Sequence, residues 1–79
     1  MSRRLKIEKR FGAVVRKLRI DRSLSQEKLA YFAGIDRSYQ GRIERGEAGI
    51  SLAMVENIAK AFGMSPGQLL ILVDQDGLF

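Results

Sequence analysis

The 79-residue chain contains no cysteine and no histidine. Without cysteine there is no disulfide, no thiolate metal site and no thiol nucleophile. Without histidine the usual zinc sites and the commonest general base are gone as well. The longest apolar run is the five residues Leu69 to Val73, far short of the roughly 20 needed to span a membrane. The N-terminal stretch MSRRLKIEKR lacks the apolar centre of a signal peptide, so the cytoplasm is the expected compartment. No nucleophile and base are set out in a pattern that suggests an enzyme, and no metal, cofactor or small-molecule ligand is implied. One domain over residues 1–79 is expected. A core of this size supplies only about 3 to 5 kcal/mol of net stability, which makes a partner subunit a physically attractive supplement.

What the chain has is positive charge, unevenly placed. Fourteen Lys and Arg stand against nine Asp and Glu, a net +5. Residues 1–22 hold nine of the basic residues against Glu8 and Asp21, whereas residues 47–79 hold only Lys60 against four acids. One end of the chain suits a polyanion and the other does not. A basic helix face that is merely solvated would give the same count, so the asymmetry needs a motif beside it.

Ile7, Phe11, Val14, Val15 and Leu18 recur at helical spacing, which predicts an amphipathic helix over residues 4–22. Gly12 interrupts it at a cost of about 1 kcal/mol, and close packing is the one reason the pattern offers. Ser25 can cap a second helix from Gln26 to about Ala33, with Glu27 in its positive first turn. Gly34 can take the left-handed conformation that stops this helix, and Asp36 can cap the next almost at once. Two short helices about such a turn make a helix-turn-helix, here at residues 25–46 and ended by Gly46. Leu29, Ala30, Phe32, Ala33, Ile35 and Ile43 look like its core residues.

Ser51 caps a fourth helix whose buried face should be Leu52, Val55, Ile58, Ala59 and Phe62, with Gly63 at its end. The last helix, at 66–74, has the clearest start: Ser65 as cap, Pro66 at the first helical position and Gln68 completing a capping box. The expected fold is all-α with five helices. A helix lying on a core can bury only about three of the residues Leu69 to Val73, and the remainder would form an apolar patch of the kind that marks an interface. Ile71 and Leu72, with Leu78 and Phe79, are the candidates for self-association, the alternative being that the chain end folds back to cover its own core.

The segment SQEKLAYFAGIDRSYQGRIERGE, followed by SLAMVENIAKAFGMSPGQLL, resembles the lambda-repressor-like, Xre/Cro-type helix-turn-helix domain of bacterial and phage transcriptional regulators. The likeness covers about residues 8–73. Ser-Gln-Glu, the Leu29-Ala30 pair, Gly34 and IERGE stand in the family's order and spacing. At this size the chain is also similar to the stand-alone controller proteins of restriction-modification systems.

The resemblance implies sequence-specific binding of double-stranded DNA by a homodimer on a palindromic operator. It implies that Gln26 bonds a phosphate and braces the recognition helix, about residues 36–45, and that Arg37 and Ser38 enter the major groove first. Tyr39 and Arg42 lie where further base or backbone contacts are made, and Arg45 would sit on phosphate. Arg19 and Glu44 match a partly buried ion pair joining the first helix to the recognition helix.

Several positions keep a second reading. Arg37 and Arg42 diverge by about 140° on a helix and cannot both point straight into a groove. Tyr39 can instead pack along the first helix. Gln40 stands where the family usually has an aliphatic residue, so it either finds a polar partner in the core or turns toward DNA. Gly41 weakens the same helix. Arg3 and Arg4 can form an arm to phosphate or the minor groove, or no contact at all. From other functional classes, an antitoxin or protein-interaction module and a membrane-surface helix remain as alternatives; the second would need the apolar face that the core requires.

Overall fold

The computed structural model describes residues 6–76. Among them are five helices: α1 (Ile7–Asp21), α2 (Gln26–Ala33), α3 (Arg37–Glu44), α4 (Leu52–Ala61) and α5 (Pro66–Asp76). The starts of α2 to α5 follow from local chemistry. Ser25 Oγ accepts from the Lys28 amide at 3.0 Å, Asp36 Oδ1 from Tyr39 at 2.7 Å and Ser51 Oγ from Met54 at 3.1 Å. At α5 the capping box closes in both directions, Gln68 N–H to Ser65 Oγ at 3.1 Å and Ser65 N–H to Gln68 Oε1 at 2.8 Å. Gly34, Gly46 and Gly63 end their helices with φ of 74°, 73° and 71°, a region where a Cβ is strained.

The core is shared by all five helices. Phe11, Val14 and Val15 of α1 meet Leu29 and Ala33 of α2, Ile43 of α3, Val55, Ile58 and Ala59 of α4, and Leu69 and Val73 of α5. Helix α1 packs on α3 and α5, while α4 packs on α2 and α5. This leaves α2 and α3 braced from behind, with the outer side of α3 free. Gly12 marks the tightest crossing, since a Cβ there would lie 2.2 Å from the Ile43 carbonyl oxygen and 2.8 Å from that of Glu44.

Three residues expected in the core are not there. Ile7 is 51% exposed and Leu52 83%. Each is the first residue of its helix, where the apolar face runs past the edge of the core. Phe32 is 52% exposed because Leu29, Ala30 and Ala33 turn inward and Phe32 falls well off that face. Its ring stacks edge-on against Tyr31 instead, with centroids 5.8 Å apart. Helix α1 begins at Ile7 in place of the predicted residue 4, and residues 1–5 lie outside the described part.

Candidate nucleic-acid interface

Helix α3 and its C-cap residue Arg45 fall into two sets. Gln40, Gly41, Ile43 and Glu44 are buried, whereas Arg37, Ser38, Arg42 and Arg45 are exposed. The bend that presents them is fixed by Gly34 and by the Ile35 amide, which donates to the Ala30 carbonyl at 2.9 Å.

Behind the exposed set stands one carboxylate. Glu44, its side chain 2% exposed, accepts from Arg19 Nε at 2.8 Å and Arg19 Nη2 at 3.0 Å. It also accepts from Gln26 Nε2 at 3.2 Å and Gln40 Nε2 at 2.8 Å. Arg19 Nη1 donates in addition to the Leu24 carbonyl at 2.8 Å. Helices α1 and α2 are therefore both tied to α3 at a single point. Burial opposes the charge on Glu44, but the hydrogen bonds from Arg19, Gln40 and Gln26 and the charge of Arg19 outweigh it, and the carboxyl is held below its ordinary value of 4.5.

Gln40 thus takes the core partner and not the outward orientation. It is fully buried, and among the described residues its Oε1 has no hydrogen-bond partner. The spacing of Gln40 and Glu44, four apart on one helix, is the sequence signal for their contact. Tyr39 is half-buried against the core, and its hydroxyl donates to the Gly49 carbonyl at 3.4 Å. Its ring joins α3 to the following loop. Arg42 is exposed, and Arg45 Nε pairs with Glu47 Oε1 at 3.0 Å in an exposed bridge, the kind that contributes little to stability.

Gln26, Arg37, Ser38, Gly41 and Arg45 together line a concavity between the start of α2 and the outer face of α3. Two guanidinium groups and a hydroxyl around one hollow suit an anion. Sequence reasoning named four of the five residues and missed Gly41 as the floor. It also missed Arg22, which donates to the Phe62 carbonyl and lies 5.2 Å from that ring's centroid, tying the ends of α1 and α4.

On the opposite side, α5 turns Leu69 and Val73 into the core and leaves Ile71 57% exposed. Leu72 packs partly against the core, so it offers less surface than Ile71. Leu70 lines a largely apolar hollow with Ile7, Glu8, Phe11, Ile50, Leu52 and Val55. Leu78 and Phe79, and the arginines Arg3 and Arg4, lie outside the described residues. No cluster of acidic residues able to hold a metal ion occurs among the described residues, and none of the described helices is long and apolar enough to cross a membrane.

A family model described as a helix-turn-helix domain matches residues 10–70. The control protein C.BamHI of Bacillus amyloliquefaciens is 46% identical over 61 residues, which cover 76% of this chain and 75% of that protein. The crystal structure of the restriction-modification controller protein C.AhdI from Aeromonas hydrophila superposes with a TM-score of 0.75 at 42% identity, covering 78% of this chain and 94% of that one. The controller protein C.Esp1396I, solved as a tetramer in complex with its natural 35 base-pair operator, gives a TM-score of 0.86 at 25% identity, covering 95% of this chain and 99% of that one.

Proposed function

The chain belongs to the helix-turn-helix domain family, and from that premise we propose that it is a sequence-specific, double-stranded-DNA-binding transcriptional regulator of the restriction-modification controller type. It acts without catalysis or cofactor, as a homodimer on a palindromic operator. The observation that carries this reading is the outer face of α3: Arg37, Ser38, Arg42 and Arg45 are all exposed on a helix whose other side is anchored through Glu44 to Arg19 and Gln26. A rigid cationic helix of this width fits the major groove. The likeness to a controller protein solved on its operator supports the same conclusion.

Within the complex, Arg37 and Ser38 at the start of α3 read base edges. Gln26 and Arg45, which flank the concavity, hold backbone phosphate. Arg42, on the other edge of α3, reaches the opposite side of the groove. Tyr39 spends its hydroxyl on Gly49 and acts mainly by holding α3 against the loop. Arg19 and Glu44 act by keeping α3 seated on α1.

The homodimer reading is supported by the exposed Ile71 on α5 and by a hollow lined by Ile7, Ile50, Leu52 and Leu70 together with Glu8, apolar surface of the kind that marks an interface. One recognition helix spans too few base pairs to define a unique site, and two copies correct this. The test compares Arg37→Ala and Arg45→Ala on a duplex selected from a random pool and on unrelated duplexes. Arg37→Ala should cost roughly 1 to 3 kcal/mol on the selected site and flatten the preference there, while Arg45→Ala should weaken all duplexes alike. Equal losses on every duplex from both variants would remove Arg37 from the reading role.

A further inference from the structure

Glycine is the poorest helix former after proline, yet Gly41 sits in the middle of the eight-residue helix α3. Nothing in the fold calls for it. Its φ is not positive, unlike those of Gly34, Gly46 and Gly63. A Cβ at Gly41 would meet no backbone atom: the nearest groups are Arg45 Nη1 at 3.1 Å, Gln26 Oε1 at 3.8 Å and Arg45 Cζ at 3.9 Å. The Arg45 group is the far end of a flexible side chain and can give way. At Gly12, by contrast, the obstacles are backbone carbonyls.

The atoms a Cβ would crowd are those of the anion-suited concavity, whose floor is Gly41. Gln26 gives one amide hydrogen to Glu44 and keeps the other, while Arg45 folds its Nη1 over the glycine. The Arg45 guanidinium and the Gln26 amide, whose Oε1 is its nearer atom, border the space that a Cβ would fill. We propose that Gly41 is a positioning residue for DNA binding: the missing side chain keeps open a seat in which a backbone phosphate is bonded by Gln26 and Arg45 together. The chain gives up helix propensity at this position in return for contact with the duplex. This inference rests on the DNA-binding reading above.

The experiment uses the full chain and its Gly41→Ala, Arg45→Ala and doubly substituted forms, with labelled duplexes of selected and of unrelated sequence. Gly41→Ala should melt a few degrees higher than the unmodified protein and bind both duplexes about tenfold more weakly, the factor expected for loss of one charge-assisted hydrogen bond. The slope of log affinity against log salt should become shallower by about 0.9, one phosphate. Because Gly41 acts through Arg45, the double variant should bind no more weakly than the weaker single variant. Unaltered affinity and slope in Gly41→Ala, a lower melting temperature, or losses that add in the double variant would each overturn the proposal. An unmodified protein that binds no duplex would instead overturn the DNA-binding reading itself, so the two failures are distinguishable.

Discussion

Glu44 is the residue on which the most interactions converge, and its charge is what makes them favourable. Removing Arg19 would strand a buried carboxylate at a cost of about 3 to 5 kcal/mol, comparable to the whole net stability of so small a domain. Arg19→Ala should therefore lower the melting temperature drastically, a change visible by circular dichroism before any binding is measured. The pH dependence has a definite sign. A carboxyl whose folded value is depressed contributes stability that is fully present above its unfolded value and is lost as pH falls through the folded one. For Glu44 the loss should come below about pH 4.5, the ordinary value, and a Glu44→Gln variant should show a flatter melting profile between pH 5 and pH 2 in calorimetry. A parallel profile would show that other carboxylates carry the acid sensitivity. Gln40 contributes on both sides. It donates to Glu44 but buries an Oε1 that has no partner among the described residues, and the two effects are each of order 1 to 3 kcal/mol. Gln40→Met should consequently change stability by less than about 1 kcal/mol in urea titration.

At the scale of elements, the two mid-helix glycines are not equivalent. Helix propensity favours alanine at either by about 1 kcal/mol. At Gly12 that gain is overwhelmed, because a Cβ would stand 2.2 Å from the Ile43 carbonyl oxygen and α1 would have to part from α3. Gly12→Ala should destabilise the protein by at least about 2 kcal/mol, opposite in sign to the rise expected for Gly41→Ala. Chemical denaturation of the pair decides this directly, and a stabilised Gly12→Ala would mean that the helices can separate at little cost. The caps are smaller, separable contributions. Ser65→Ala removes one half of the reciprocal box at α5 and should cost about 1 kcal/mol.

The whole molecule presents two surfaces of different character, a cationic face on α3 and an apolar one around α5. Two copies joined through the apolar face as a closed symmetric pair would set their α3 helices on the same side of a duplex, with half-sites about 10 to 10.5 base pairs apart or a multiple of that. Ile71 and Leu52 are the two most exposed members of the apolar surface, at 57% and 83%. Replacing both with glutamate should give a folded monomer that binds half-sites weakly and without cooperativity. Light scattering at tens of micromolar checks the assembly. An unmodified protein that stays monomeric there and on DNA would exclude the dimer, and a double variant that stays dimeric would move the interface elsewhere. Leu72 is left out of the test because it packs against the core, where a charge would unfold the chain.

The sequence by itself determined the starts of α2 to α5 and the turn, because each depends on residues within about four positions of one another. Ser25, Asp36, Ser51 and Ser65 begin helices, and Gly34, Gly46 and Gly63 end them, for reasons of local hydrogen bonding and backbone sterics. The exposed arginines of α3 were legible for the same reason, as residues of one short helix. What the sequence did not decide is where each periodic face meets the core. Ile7, Phe32 and Leu52 have the right spacing and the wrong position, since a helix's apolar stripe is buried only along the length that another helix covers. The two readings of Gln40 were also undecidable locally. Glu44 already lay four residues away, but whether the pair faced in depended on Arg19 arriving from α1 and Gln26 from α2. The role of Gly41 is tertiary altogether: a missing side chain has no pattern of its own, and only the approach of Gln26 and Arg45 from either side gives the gap a shape.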